Sequence, residues 1–373
     1  MRKERSDFTA AVGGERRRFS RRGLRFLLAN AVLALASMGF LLACLFLLGR
    51  QAGPRRAAEF AGDSGIEFGK LSVYMGAGDK LSLGDIYSFR KALLDKMSEA
   101  SLELPAGGSS FVDAWCAFGS ARASGGHGSA EVTVNAVGGE FFFFHPLRLK
   151  SGAYLCEDDV MDDLVVLDRE LAWRLYGGDD LVGLTIMVND RPFLIGGVVE
   201  RDRDFASRRA KDEGNQLFMS YSAWNAMSED RATPIDCYEL AAAQPVKGFL
   251  EGFMKEKFPL GGGELVNDSQ RASLGGAWSA LRQFGERSMR RTALRYPEWE
   301  NAARCIEDWC ALCVALAALF AVCPAVSALV ALGFGLVRLR KYLSAKLPAL
   351  ASAAVDRAHV RRWERLHGKG GEG

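Results

Sequence analysis

The residues best equipped for chemistry in this chain lie far apart, and each group has a spacing that points to a different reaction. Cys310-x-x-Cys313 has the spacing of a dithiol redox pair. It falls inside an uncharged run, where thiols stay protonated and away from water, so the two cysteines read as small packing residues. Carboxylates pair at Asp158-Asp159, Asp162-Asp163 and Asp179-Asp180. Paired acids can divide the roles of general acid and base, but these flank turns and helix ends, where carboxylates cap and are solvated. His127 sits in a Gly-rich stretch, with no Cys, His, Asp or Glu cluster at metal-ligand spacing around it. No Gly-x-Ser-x-Gly occurs. The nearest approach to a phosphate loop, Gly65 to Leu71, has the wrong spacing and lacks its Ser or Thr. No catalytic residue, cofactor or metal site is assigned, and the expectation is a protein that is not an enzyme and does not hydrolyse ATP itself.

Two further groups are physical rather than chemical. Phe141–Phe144, followed by His145, cannot all face inward on one strand, and read as core at a strand–helix junction. Tyr296, Pro297, Trp299, Glu300, Arg304 and Trp309 lead into the second long apolar run. Trp299 and Trp309 suit a membrane–water interface, and Glu300 and Arg304, four apart, can pair on one helix face. The segment is expected to connect an outer domain to a membrane helix, as an anchor or as a stiff connector that passes on movement.

The elements that must hold these residues come in two populations. Phe26 to Leu48 are 23 consecutive uncharged residues, a helix of about 35 Å at ~1.5 Å per residue, enough to cross a bilayer core. Trp309 to Val337 are another 29, with Pro324 inside as a candidate kink. The first run is longer than a signal-peptide core and lacks a clean cleavage site, so it reads as an uncleaved anchor. Small residues recur at Ala317, Ala321 and Ala325, and at Ser327, Ala331 and Gly335, a spacing that permits close helix packing.

The net charge of +3 divides along the same lines. Residues 1–25 hold nine basic and three acidic residues, and residues 338–373 hold the same, so each end carries +6 and the remainder −9. Basic outer flanks read as cytoplasmic. The expected organisation is a cytoplasmic basic N-terminus over 1–25, a transmembrane helix over 26–48, an extracytoplasmic domain over 49–308, a second transmembrane helix over 309–337 and a cytoplasmic basic tail over 338–373. A balance this close to neutral gives no argument for nucleic acid as a partner; anionic lipid or a cytoplasmic ATPase suits the basic ends.

Within 49–308 the patterns predict a strand at Lys70–Met75, a helix at Gly84–Met97, and strands at Phe111–Phe118 and Glu131–Val137. They continue with a strand at Leu164–Leu167, a helix at Arg169–Tyr176 stopped by Gly177, and a hairpin from Leu184 to Val199 turning at Asn189-Asp190. A strand at Asp236–Ala242, a helix from Val246 to Met254, a strand at Glu264–Asn267 and a helix at Trp278–Arg291 complete the domain. The fold class expected is therefore α+β, two βαβ-like units with a β-rich insert, lying between two transmembrane α-helices.

The run from Val134 to Glu200 carries a resemblance. Val134-Asn135-Ala136-Val137-Gly138, Phe144-His145-Pro146-Leu147, Leu149-Lys150-Ser151-Gly152 and Val165-Val166-Leu167-Asp168 are followed by Leu171-Ala172, Leu175-Tyr176-Gly177, Val182-Gly183 and Phe193-Leu194-Ile195-Gly196-Gly197-Val198. It resembles the periplasmic core domain of MacB/FtsX-type ABC transporter permeases. Within it Gly152, Leu167, Ala172, Gly177, Gly183 and Gly196 are the motif positions, and their types are structural: glycines for turns, apolar residues for a buried strand and helix. The resemblance implies a docking and force-relay domain, a separate ABC ATPase as partner, and assembly with other membrane subunits or a second copy. Full permeases of that type have four transmembrane helices, with three clustered after the outer domain; this chain has one there. The expected function is thus a permease-like or accessory subunit of an ABC transport or efflux system in the cell membrane. The alternative is a surface sensor or interaction protein with no transport role.

Overall fold

The computed structural model describes residues 21–51, 53–63, 65–76, 78–99, 109–156, 162–211, 214–287, 294 and 296–367. Arg16–Arg18, Asp158-Asp159, Arg295, the far end of the helix expected over Trp278–Arg291 and the last six residues of the basic tail lie outside them. The chain divides into two compact units, residues 1–41 with 316–373, and residues 42–315.

In chain order the elements are α1 (Arg21–Leu48), α2 (Gly53–Ala61), β1 (Phe68–Tyr74), α3 (Leu83–Glu99), β2 (Phe111–Gly125), β3 (Gly128–Gly139), α4 (Phe141–Phe144), β4 (Arg148–Gly152) and β5 (Leu164–Asp168). They continue with α5 (Arg169–Tyr176), β6 (Thr185–Val188), β7 (Arg191–Glu200), α6 (Phe205–Ala210), β8 (Asn215–Ser220), α7 (Tyr221–Met227) and β9 (Cys237–Ala243). The last are α8 (Phe249–Lys257), β10 (Glu264–Asn267), α9 (Asp268–Arg271), α10 (Leu274–Arg282), α11 (Phe284–Arg287) and α12 (Glu298–His367).

All ten strands join one sheet, ordered β10-β1-β9-β2-β3-β8-β5-β7-β4, with β6 pairing β2 and β7. Its first four strands form a ferredoxin-like half. β1 and β2 both run antiparallel to β9, so the β1–α3–β2 unit is split by β9, and the β9–α8–β10 unit is split in turn by β1. These are the two expected βαβ-like units. Everything between β2 and β9 is the insert, and it extends the same sheet rather than forming a separate one. There β5 and β7 are parallel, with α5 and β6 between them in the chain, and β3 runs parallel to β8.

Side chains alternate across a strand, and the two faces of the ferredoxin-like half differ in chemistry. One face, with Leu71, Val73, Tyr238 and Leu240, packs on Ile86, Phe89 and Leu93 of α3 and on Leu250, Phe253 and Met254 of α8, all buried. Phe89 meets Tyr238, Phe253 and Phe258 there. The opposite face carries Lys70, Ser72, Tyr74 and Glu239, also buried.

Local chemistry explains most of the insert. Asp168 caps α5 by accepting from the Glu170 amide, and Gly177 ends the helix in the left-handed region. Asn189 and Asp190 both have positive φ, which a two-residue type I′ hairpin turn requires. The aromatic run Phe141–Phe144 is a short helix after β3, with Phe141, Phe142 and Phe144 buried. The helix expected over Trp278–Arg291 is broken: α10 ends at Arg282, and α11 restarts at Phe284. β2 runs on to Gly125, well beyond the strand expected to end at Phe118, and the chain reverses at Gly126-His127.

In the smaller unit, the described stretches of α1 and α12 pair through Ser37 Oγ, which donates to the Ala317 carbonyl at 2.8 Å, through Asn30 and Ser327 at 3.0 Å, and through stacked Phe40 and Phe320. α1 and the Glu298–Ser344 part of α12 are both long and apolar enough to cross a membrane. α12 passes through Pro324 without a break and runs on to His367.

Candidate functional site: a buried ion network and the cavity beside it

The polar face of the sheet meets the first turns of α12 through charge. Arg271, at the end of α9, reaches Asp268 at 2.9 Å, both carboxylate oxygens of Glu300 at 2.7 and 3.0 Å, and Glu307 at 2.6 Å. Arg304, fully buried, binds Glu300 at 2.6 Å and Glu264 at 2.9 Å, and its guanidinium lies 3.8 Å from the centre of the Tyr296 ring. Tyr74 donates to Glu300 at 3.1 Å. Lys70 joins the same assembly, 2.7 Å from Glu239 and 3.3 Å from Asp268, while His145 Nε2 meets the other oxygen of Glu239.

These are charges taken out of water, which is costly unless each is paired. Here each has a partner. Burial alone would favour neutral Glu239, but His145 and Lys70 outweigh it and hold its carboxyl well below the usual range. Asp268 is likewise penalised by burial, yet Lys70 and Arg271 pull it down. Burial works against the charged Lys70 amine, and Asp268 and Glu239 more than offset it, so the amine stays charged far above neutrality. Burial and the bond donated to Glu264 push the Tyr296 phenol up. A closed set of neutralised charges holds elements in place; it offers no activated nucleophile.

A second cluster ties the insert to the same helix. Arg201, just after β7, pairs with Asp168 at 2.8 Å, Glu170 at 3.1 Å and Glu298 at 3.0 Å. The first turn of α12 is therefore held by both parts of the sheet.

Between the clusters lies a cavity of about 350 Å³, whose walls include Gln51, Arg56, Phe141, Phe144, Trp299 and Ile306. Trp299 stacks near His145, with ring centres 4.3 Å apart, and near Phe141 at 5.4 Å.

The structure brings together five of the six connector residues. Tyr296, Trp299, Glu300 and Arg304 face the sheet, and the Pro297 carbonyl accepts from the Asn301 amide at 3.0 Å. Trp309 is 42% exposed and meets Phe205 edge-on. The motif positions lie in the insert, away from the network. Leu167 and Ala172 are fully buried in β5 and α5. Gly152 and Gly183 have positive φ, and a side chain on Gly152 would meet the Gly196 carbonyl at 2.0 Å. Cys310 and Cys313 are buried beside Cys44. Among the described residues no group of three His, Cys, Asp or Glu side chains is placed to hold a metal ion.

Sequence reasoning missed Lys70, Glu239, Asp268 and Arg271. A signal existed for the first two: single charges on strands whose other residues are apolar or small. None marks Asp268 or Arg271, whose partners lie up to 198 residues away in the chain.

The fold is thus a mixed α/β domain flanked by two apolar helices of spanning length. Residues 63–243 match the family model of the MacB-like periplasmic core domain. The macrolide export ATP-binding/permease protein MacB of Aggregatibacter actinomycetemcomitans is 37% identical over 65 residues, which cover 17% of this chain and 10% of that protein. Its namesake in Chromobacterium violaceum is 35% identical over 98 residues, 24% and 14% of the two chains. The chain thus matches only 10–14% of the length of these relatives. Among solved structures, the periplasmic region of MacB from Actinobacillus actinomycetemcomitans matches 55% of this chain and 92% of its own, with 20% identity and a TM-score of 0.40. The extracellular domain of the noncanonic ABC-type transporter YknZ from Gram-positive bacteria covers 53% and 100%, with 10% identity and a TM-score of 0.36.

Proposed function

We propose that this chain is a permease-like or accessory membrane subunit of an ABC-type transport or efflux system. Residues 49–308 would form its extracytoplasmic domain, 26–48 and 309–337 would cross the membrane, and the basic ends would be cytoplasmic. The observation that carries the reading is a MacB-like periplasmic core domain between two apolar helices of spanning length. The buried network supports a relay role for the domain, because it joins the sheet to α12, the helix that runs on through the second apolar segment. ATP hydrolysis belongs to a separate ABC ATPase, since no phosphate loop occurs in this chain, and further membrane subunits or a second copy complete the assembly in contact with lipid.

The test is purification of a tagged chain from its own membranes in mild detergent, followed by mass spectrometry. The expected result is co-purification of an ABC ATPase, with or without a second membrane subunit. Recovery of the chain alone across several detergents overturns the reading.

A further inference from the structure

The cavity beside the network holds polar atoms that the fold does not use. Gln51 lines it, three residues beyond Leu48 at the end of α1, and is only 5% exposed. Neither its amide nitrogen nor its amide oxygen has a hydrogen-bond partner. Two more buried donors on the lining residues also lack partners, the Arg56 Nε and the Trp299 Nε1. Leaving buried polar groups unpaired is costly, and three such side chains around one space mark a place where something else completes the bonding.

The unmet groups have a bias. Three donor nitrogens stand against a single acceptor oxygen, so the complement is a group rich in acceptor oxygens. One of the donors is the Nε of the Arg56 guanidinium, whose Nη1 pairs with Glu59, and a guanidinium edge favours an anionic oxygen. The carboxylates of the same wall are mostly engaged: Asp268 by Lys70 and Arg271, Glu300 by Arg271 and Arg304, Glu298 by Arg201, and Asp204 by the Ala206 and Ser207 amides it caps. Asp202 is the remaining carboxyl on this wall, and burial followed by the neighbouring Asp204 pushes it up, toward its neutral form. The apolar part of the lining is Phe141, Phe144, Leu147, Phe218 and Ile306, and basic side chains, among them Arg50 and Lys211, stand beside it.

We infer that this cavity is a binding site for a phosphate ester, its oxygens taken by Gln51, Arg56 and Trp299 and its organic part by the apolar wall. The headgroup of a membrane lipid and a free phosphomonoester share that chemistry. The site stands whether or not the chain serves in transport.

The test is calorimetric titration of the full chain in a neutral detergent with three probes: dihexanoyl phosphatidic acid, dihexanoylglycerol and glycerol 3-phosphate. Phosphatidic acid is expected to bind saturably, and dihexanoylglycerol at least about tenfold more weakly. Glycerol 3-phosphate binding as well as the lipid identifies a soluble phosphomonoester as the source; binding about tenfold weaker identifies the membrane. Gln51→Leu and Arg56→Gln should each weaken phosphatidic acid by roughly five- to tenfold. Gln51→Leu should at the same time leave the melting temperature unchanged or higher, because it removes an unpaired buried amide. If phosphatidic acid binds no better than dihexanoylglycerol, or if both variants bind it like the wild type, the site is wrong and water alone fills the cavity.

Discussion

Glu300→Gln is the substitution that most directly tests whether the ion network holds α12 to the sheet. The Glu300 carboxylate is 1% exposed and accepts from Arg271 at 2.7 and 3.0 Å, Arg304 at 2.6 Å and Tyr74 at 3.1 Å. Glutamine keeps the shape but removes the charge, and its amide nitrogen turns a donor toward guanidiniums that can only donate. Removing one partner of a buried ion pair costs about 3–5 kcal/mol. Arg271 keeps Asp268 and Glu307, and Arg304 keeps Glu264, so the lower end applies, about 3 kcal/mol. For a domain of this size ~1 kcal/mol moves the melting temperature by about 2–4 °C, so the expected drop is roughly 6–12 °C. The assay is thermal unfolding of the full chain in detergent, followed by tryptophan fluorescence. Glu251→Gln serves as the control, because its i, i+4 pair with Lys255 is worth less than about 0.5 kcal/mol and glutamine can still accept from Asn267 Nδ2. A Glu300→Gln melting temperature within about 2 °C of the wild type, matching that control, refutes the network as the anchor of α12.

Gly152→Ala should destabilise by more than about 3 kcal/mol in the same assay, since positive φ adds to a 2.0 Å approach to the Gly196 carbonyl, whereas Gly183→Ala, with positive φ but open space, should cost only ~1–2 kcal/mol. Because Glu239 and Asp268 are held below the carboxyl range of the unfolded chain, their contribution is present above about pH 5 and lost as pH falls through the acid range; the melting-temperature gap between wild type and Glu239→Gln should be constant from about pH 6 to 8 and shrink below about pH 4. A membrane-impermeant maleimide should label exposed Cys156 on intact spheroplasts and leave Cys116 and Cys237, each 1% exposed, protected until denaturation; labelling of Cys156 only after permeabilisation would reverse the orientation of the domain.

Periodicity made the split βαβ units legible, because α3, α8 and their flanking strands each bury one apolar face, and alternation survives in short windows of sequence. It could not show that the insert extends the same sheet, since β3 pairs with β8 across about 80 residues and nothing in either strand names its neighbour. The network was legible only where it is local: Glu300 and Arg304 are four apart on one helix, but Lys70 and Glu239 meet across 169 residues. Trp299 read as an interfacial aromatic because it precedes an apolar run, while the structure sets its ring against His145 and Phe141. Composition describes what a tryptophan suits; only the fold decides which suitable surface is nearest.

The two faces of the ferredoxin-like half explain why charge, and not more apolar area, meets α12. On the α3 and α8 side, leucine and phenylalanine contacts fix the helices through shape over a wide area. α12 continues into a segment whose side chains are apolar and small, and an equally apolar first turn could slide along its axis, replacing one such contact by another at little cost. Glu300, Arg304 and Glu307 stand at spacings of four and three, on one face. Sliding by one helical turn moves each by about 5.4 Å. The pairs that cross from α12 to other elements, 2.6–3.0 Å long, would break together, leaving Arg271 buried without two of its three partners. Ionic contacts of this kind add little net stability compared with an apolar replacement, but they are steep in position. The charge at the start of α12 therefore fixes the helix against the sheet more sharply in position than apolar area would.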